Sequence, residues 1–194
     1  MAKDKRSVFV TNGCNSHCDH ERADLDFYST DPKAAEWLLK LEPYLSNNIW
    51  ECACGSLSLS NVFTNAGKNV RNSDIAARSN DIEILDFLSC NVPVHNTDII
   101  TNPPYKYAKE FVEKALSLID DSRYVCMFLK LTFLESKSRR LLFDKYPPIR
   151  IWVSSSRMNC YMNDIITDKA SAVCYAWFVW QKGYTGYPEL RWFN

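Results

Sequence analysis

Asn102-Pro103-Pro104-Tyr105 stands at the end of the apolar run Asp98-Ile99-Ile100-Thr101. A residue before proline is pushed out of the helical region, so Asn102 and Pro103 are both held extended. Pro103 and Pro104 have no N–H, which leaves carbonyls free to accept. The side-chain oxygen of Asn102 and the carbonyl of Pro103 could together take both hydrogens of an exocyclic amine, with Tyr105 stacked on the ring that bears it. Holding those hydrogens draws the nitrogen lone pair out of conjugation and aims it at an electrophile. By itself the tetrapeptide does not choose among adenine N6, cytosine N4, an RNA base or a glutamine amide, all of which present a planar NH2.

A second stretch, Glu51-Cys52-Ala53-Cys54-Gly55, reads as a strand entering a tight turn before a helix, where a ligand can approach the backbone beside a helix N-terminus. Asp74, at the end of the following strand, is placed to accept hydrogen bonds from ribose hydroxyls. The dinucleotide fingerprint G-x-G-x-x-G is not met, since positions 55, 57 and 60 are Gly, Leu and Ser, which argues against a nicotinamide site. Cys14, His17, Cys18 and His20 crowd into seven residues but lack finger spacing and a second ligand pair, so they read as a polar arm and no metal is expected.

The elements that must position these groups alternate. Helices are predicted over residues 32–44 (Pro32 in the first turn, Asp31 before it), 58–66, 107–119 and 136–145, and strands over 48–52, 69–73, 98–101, 124–131, 149–154 and 172–180, with a short strand leading into Asp86-Phe87-Leu88. Such alternation predicts an α/β fold, a mostly parallel seven-stranded sheet with helices on both faces and a last antiparallel strand. Open sheets of this kind bind ligands outside the carboxyl ends of their strands, where Glu51–Gly55, Asp74, Asp86 and Asn102–Tyr105 all fall.

The chain of 194 residues fits one domain, predicted over 25–194 after a polar N-terminal arm, 1–24. Met1–Arg6 is charged but no apolar segment of signal-peptide type follows, and the longest apolar runs are too short to span a bilayer, so a cytoplasmic protein with no membrane partner is expected. The eight cysteines then read as free thiols, with Cys52, Cys54, Cys126 and Cys174 in apolar surroundings. The net charge of zero conceals polarity: residues 1–100 carry 9 Lys+Arg against 14 Asp+Glu, and residues 101–194 carry the reverse. A basic face on a neutral chain is one footprint of nucleic-acid binding.

These stretches resemble class I S-adenosylmethionine-dependent methyltransferases, and more narrowly the small phage and prophage-type DNA adenine-N6 methyltransferases. The resemblance rests on Asp26–Pro32, Trp50–Gly55, Ser73–Ile75, Asp86–Leu88, Thr101–Tyr105, Phe128–Glu135 and Tyr175–Trp180. It implies a Rossmann-like domain that takes S-adenosylmethionine as cofactor and DNA as partner. It further implies that Tyr28 and Thr30 touch the methionine moiety, that Glu51, Cys52, Ala53, Cys54 and Gly55 form the cofactor loop, and that Asp74 binds its ribose. Asp86 and Phe87 would hold the cofactor's adenine, and Asn102, Pro103, Pro104 and Tyr105 would be the catalytic tetrad acting on a base flipped from the duplex.

Two departures qualify that expectation. The family has Gly-x-Gly where residues 55–57 are Gly55-Ser56-Leu57, so a side chain intrudes at position 57 and any positive φ there is costly. Ala77-Arg78-Ser79 stands where the family tends to have Asp-Arg-Gly. The expected result is weakened cofactor binding, and the alternative is a cofactor-impaired, nucleic-acid-binding protein of the same fold. With no separate target-recognition domain, substrate contacts are expected from residues 135–145 and 154–169, with Arg139, Arg140 and Arg157 on phosphates.

Overall fold

The computed structural model describes residues 28–76, 79–158, 160–162 and 173–194. The N-terminal arm with its Cys/His group, the Ala77-Arg78 pair, Asn159 and residues 163–172 lie outside them.

The sheet is built from strands whose neighbours in space are set by βαβ crossovers. In chain order the elements are β1 (Tyr28–Thr30), α1 (Lys33–Leu41), β2 (Asn48–Glu51), α2 (Ser58–Asn65), β3 (Asn69–Asp74), β4 (Glu83–Ile84), β5 (Thr97–Thr101), α3 (Ala108–Leu118), β6 (Tyr124–Lys130), α4 (Lys137–Lys145), β7 (Arg150–Ser154), β8 (Cys160–Met162), β9 (Tyr175–Gln181) and β10 (Glu189–Phe193). One sheet runs β4-β3-β2-β5-β6-β9-β7-β10, with β9 alone antiparallel to both neighbours. β1 and β8 form a separate antiparallel ribbon in which Thr30 lies opposite Cys160.

The helices fall where the sequence pattern places them, and α1 gains its first-turn cap from Asp31, whose Oδ1 accepts from Lys33 N at 3.0 Å. The sheet differs from expectation in its width. It has eight strands, because Glu189–Phe193 adds β10, parallel to β7, after the antiparallel strand. The seven expected strands are all present.

Side-chain alternation splits the core into two layers. Val125, Met127 and Leu129 of β6 face α3 and α4 with Phe111, Val112, Leu142 and Phe178. Cys126 and Phe128 face α1 and α2 with Ala35, Leu38, Phe63 and Trp177. A strand buried on both faces must be apolar throughout, which is why β6 and β9 read as continuous hydrophobic runs. Buried tryptophans each find an acceptor for their indole N–H: Trp177 on Ala34 O at 2.9 Å, Trp50 on Ser73 Oγ at 2.8 Å and Trp152 on Glu42 Oε1 at 2.7 Å. Glu42, 3% exposed, also takes a two-pronged ion pair from Arg150 at 2.6 and 2.5 Å, tying the end of α1 to β7. Cys52, Cys54 and Cys126 are buried as expected, whereas Cys174 lies exposed, just ahead of β9.

Candidate functional site

Strand order reverses between β2 and β5, and the chain leaves each of these strands at the same end of the sheet. That end carries the loop after β2, the acid ending β3, the turn after β4 and the segment after β5, where open sheets of this kind hold their ligands in a crevice.

The loop after β2 is tied down by its backbone. Cys54 N donates to Ser73 O at 3.1 Å, and Gly55 N to Asp74 Oδ2 at 2.9 Å, while Asp74 Oδ1 accepts from Ala76 N at 3.1 Å. Each carboxylate oxygen of Asp74 keeps acceptor capacity beyond its one amide. Gly55 has φ +50° and Leu57 has φ +66°, so the loop adopts left-handed backbone at both positions where the resemblance expects glycine. Leu57 holds this conformation as the residue that opens α2, at a strain of about 1–2 kcal/mol.

Glu51 lies beneath the loop, 2% exposed, and bonds to Ser60 Oγ, which also lies 2.5 Å from Asn72 Oδ1. Burial pushes its carboxyl from an ordinary 4.5 to about 8. One hydroxyl proton cannot serve two acceptors, and a protonated Glu51 supplies the second. The Cys54 thiol, pushed up to about 12 chiefly by burial, stays protonated beside it.

Asp86 caps the short 3-10 turn Phe87–Ser89, accepting from Leu88 N at 3.1 Å and Ser89 Oγ at 2.6 Å, and is itself exposed. Phe87 is 2% exposed, edge-on to Trp50 at 5.2 Å and against Phe111 at 5.0 Å. Its ring is therefore a piece of core, and Asp86 is the exposed member of the pair.

At the tetrad, Asn102 Nδ2 donates to Thr30 Oγ1 at 2.8 Å and approaches Cys160 Sγ at 3.9 Å. That side of the amide is thus taken by the β1–β8 ribbon. Asn102 Oδ1 is buried and has no hydrogen-bond partner among the described residues. Pro104 O accepts from Tyr107 N at 2.9 Å, while no backbone N–H among the described residues reaches Pro103 O. The Tyr105 phenol lies 3.6 Å from Cys160 Sγ, is pushed well up chiefly by burial, and has Lys130 Nζ 4.7 Å from its ring centre. The ribbon is itself anchored to the start of α2 through Ser29 Oγ and Ser58 Oγ, 2.8 Å apart.

The crevice therefore brings together Glu51–Gly55, Asp74, Asp86 and Asn102–Tyr105, with Thr30 on the tetrad. Tyr28 is placed by its backbone alone, opposite Met162. Arg139 and Arg140 lie in the first turns of α4, where Arg139 Nη1 donates to Thr132 O at 2.7 Å and Arg140 pairs with Asp144 at 2.7 Å. Arg157 Nη1 approaches Cys174 Sγ at 3.4 Å. Cys160 and Lys130 also lie at the tetrad; Cys160 is in none of the stretches that carry the resemblance, and Lys130, within Phe128–Glu135, had no role attached to it. Cys160 sits in a polar tract without periodicity, and Lys130 ends an apolar strand. Among the described residues no group of three His, Cys, Asp or Glu could hold a metal, and no helix is long and apolar enough to cross a membrane.

No family model matches the sequence, and no curated protein does. Solved structures do. A protein from Pyrococcus horikoshii, described as a proposed RNA methyltransferase, superposes with a TM-score of 0.59 at 13% identity, covering 92% of this chain and 99% of that one. The type IIG restriction endonuclease BpuSI gives 0.57 at 16% identity over 79% of this chain and 25% of its own. Magnesium protoporphyrin IX methyltransferase from Synechocystis, solved with S-adenosylmethionine bound, gives 0.51 at 16% identity over 77% and 76%. With the strand order and the single antiparallel strand, these superpositions establish that the chain has the fold of the class I S-adenosylmethionine-dependent methyltransferases.

Proposed function

We propose that this chain transfers a methyl group from S-adenosylmethionine to the N6 amine of adenine in DNA. The observation that carries the reading is the buried, unpartnered Oδ1 of Asn102, held in orientation by Thr30 on the far side of the same amide. A buried acceptor left without a donor costs about 1–3 kcal/mol, a cost that an incoming NH2 removes. Asn102 Oδ1 and Pro103 O take one amine hydrogen each, and Tyr105 offers its face to the flipped base. The bound cofactor supplies an electrophilic methyl group. No general base needs a tuned pKa, because the amine loses its proton only after the new bond has formed.

The residues around the loop fit that cofactor. Asp74 offers acceptor capacity to ribose hydroxyls, Asp86 an exposed carboxylate to an exocyclic amine, and Gly55 and Leu57 give the loop the backbone form of a glycine-rich turn. Because the loop keeps this form in spite of Leu57, catalysis is favoured over the cofactor-impaired binding protein. Arg139, Arg140 and Arg157 are assigned to phosphate contacts, exchanging their present local partners for the DNA backbone.

The test is transfer of radiolabelled methyl to unmethylated DNA, with RNA and Asn102→Ala in parallel. Label recovered as N6-methyladenine in DNA, and lost with Asn102→Ala, supports the proposal. Label in RNA alone moves the substrate, and label in neither, with folded protein at saturating cofactor, sinks the activity.

A further inference from the structure

We propose that the chain forms a two-fold homodimer by antiparallel pairing of β10 with β10 of a second copy, the axis passing through Leu190. This inference is independent of the reaction at the crevice.

β10 is the edge of the eight-stranded sheet beyond β7, and among the described residues nothing pairs with its outer side. Glu189 N donates to Ile149 O at 3.1 Å, and Phe193 O accepts from Ser155 N at 3.0 Å. The odd-numbered residues therefore turn their backbone groups toward β7. By alternation Leu190 and Trp192 turn their N–H and C=O groups outward, together with the carbonyl of Pro188. Natural edges are usually blunted by charge, bulges or covering segments. This edge carries the charged pair Glu189 and Arg191 on one face, and on the other it exposes Leu190 at 43% and Trp192 at 66%, with Tyr187 at 95% just ahead of it.

What identifies a second copy as the occupant is self-complementarity. With the axis at Leu190, Leu190 faces Leu190 of the other copy and each N–H meets the opposite C=O. Trp192 faces Pro188, so the Trp192 N–H finds the one group Pro188 can offer, its carbonyl. These three residues lie on one face, the face that Ile151 and Val153 present to α4. On the other face Glu189 meets Arg191 of the second copy, and Arg191 meets Glu189. Within one chain these two already pair at 2.5 Å while remaining half exposed, so the dimer converts an i, i+2 pair into a ladder of four alternating charges.

The experiment is sedimentation equilibrium of the full chain and of two single variants, Glu189→Arg and Arg191→Glu, with circular dichroism to show that each folds. Wild type is expected at twice 22.5 kDa. Each variant alone faces like charges across the axis and is expected at the monomer mass. An equimolar mixture restores opposite charges at every position and is expected to return to the dimer mass. A wild-type monomer at all concentrations overturns the proposal, and so does a dimer that both variants leave intact. Folded variants that dissociate singly but fail to recombine overturn it too, because the charge ladder would not be what pairs them.

Discussion

Thr30 and Asn102, 72 residues apart in sequence, are joined by a 2.8 Å hydrogen bond in which the Asn102 amide nitrogen donates to the threonine hydroxyl. The bond fixes which end of the amide faces the crevice. The resemblance assigns Thr30 to the cofactor's methionine moiety, whereas the geometry gives it an additional part as a positioning residue for Asn102. Thr30→Val is isosteric and removes the acceptor. It is expected to lower kcat roughly 10–100-fold, the worth of a lost oriented hydrogen bond, with a smaller effect on cofactor affinity. Thr30→Ser should retain most activity. Steady-state kinetics on both substrates decide, and a change confined to the KM for cofactor would refute the positioning role.

Leu57 gives a stability and a binding prediction together. Leu57→Gly removes about 1–2 kcal/mol of left-handed strain but costs about 0.5–1 kcal/mol in unfolded-state entropy. Thermal stability is expected to hold or rise slightly, and cofactor titrated calorimetrically should bind more tightly as the isobutyl group is removed from the loop. Leu57→Ala keeps the strain and should recover less. Unchanged affinity in Leu57→Gly would mean that the side chain does not intrude on the cofactor.

Glu51 makes stability fall with rising pH. Its folded pKa of about 8 lies above the ordinary 4.5, so between those values the native state holds a proton that the unfolded chain has released. The stabilisation is full below pH 4.5 and is lost progressively toward pH 8. At about 1.4 kcal/mol per unit the total is of the order of 5 kcal/mol. Urea titrations across this range should show the slope in wild type, and Glu51→Gln should flatten it. An identical slope in the variant would place the proton elsewhere.

The Glu42–Arg150 pair predicts a larger loss from one substitution than from two. Glu42→Ala leaves the Arg150 guanidinium and the Trp152 indole N–H without their buried acceptor and is expected to cost about 3–5 kcal/mol. Replacing both partners, Glu42→Leu with Arg150→Met, should cost less than Glu42→Ala alone, as chemical denaturation would measure.

The central strands and their helices were legible because each carries a local signal: two-sided burial makes β6 and β9 continuous apolar runs, and α3 places Phe111, Val112 and Ala115 at helical spacing. The tetrad was legible because two consecutive prolines restrict the backbone whatever surrounds them. β10 was not, since five alternating residues after Gly183, Gly186 and Pro188 look like a turn-rich tail until β7, some forty residues earlier, supplies a partner. The β1–β8 ribbon was hidden for the same reason in stronger form, as a three-residue strand has no periodicity to detect. Phe87 was read with Asp86 as a pair, but only packing reveals that its ring belongs to Trp50 and Phe111.

β9 fills the gap between β6 and β7, and it follows both of them in the chain. During synthesis those two strands therefore leave the ribosome before the strand that joins them, each with an unsatisfied edge and with apolar side chains destined for both layers. Residues 175–181 close both edges at once. This part of the sheet thus becomes rigid late, and the nascent chain has an interval in which it is open to aggregation and to chaperone capture.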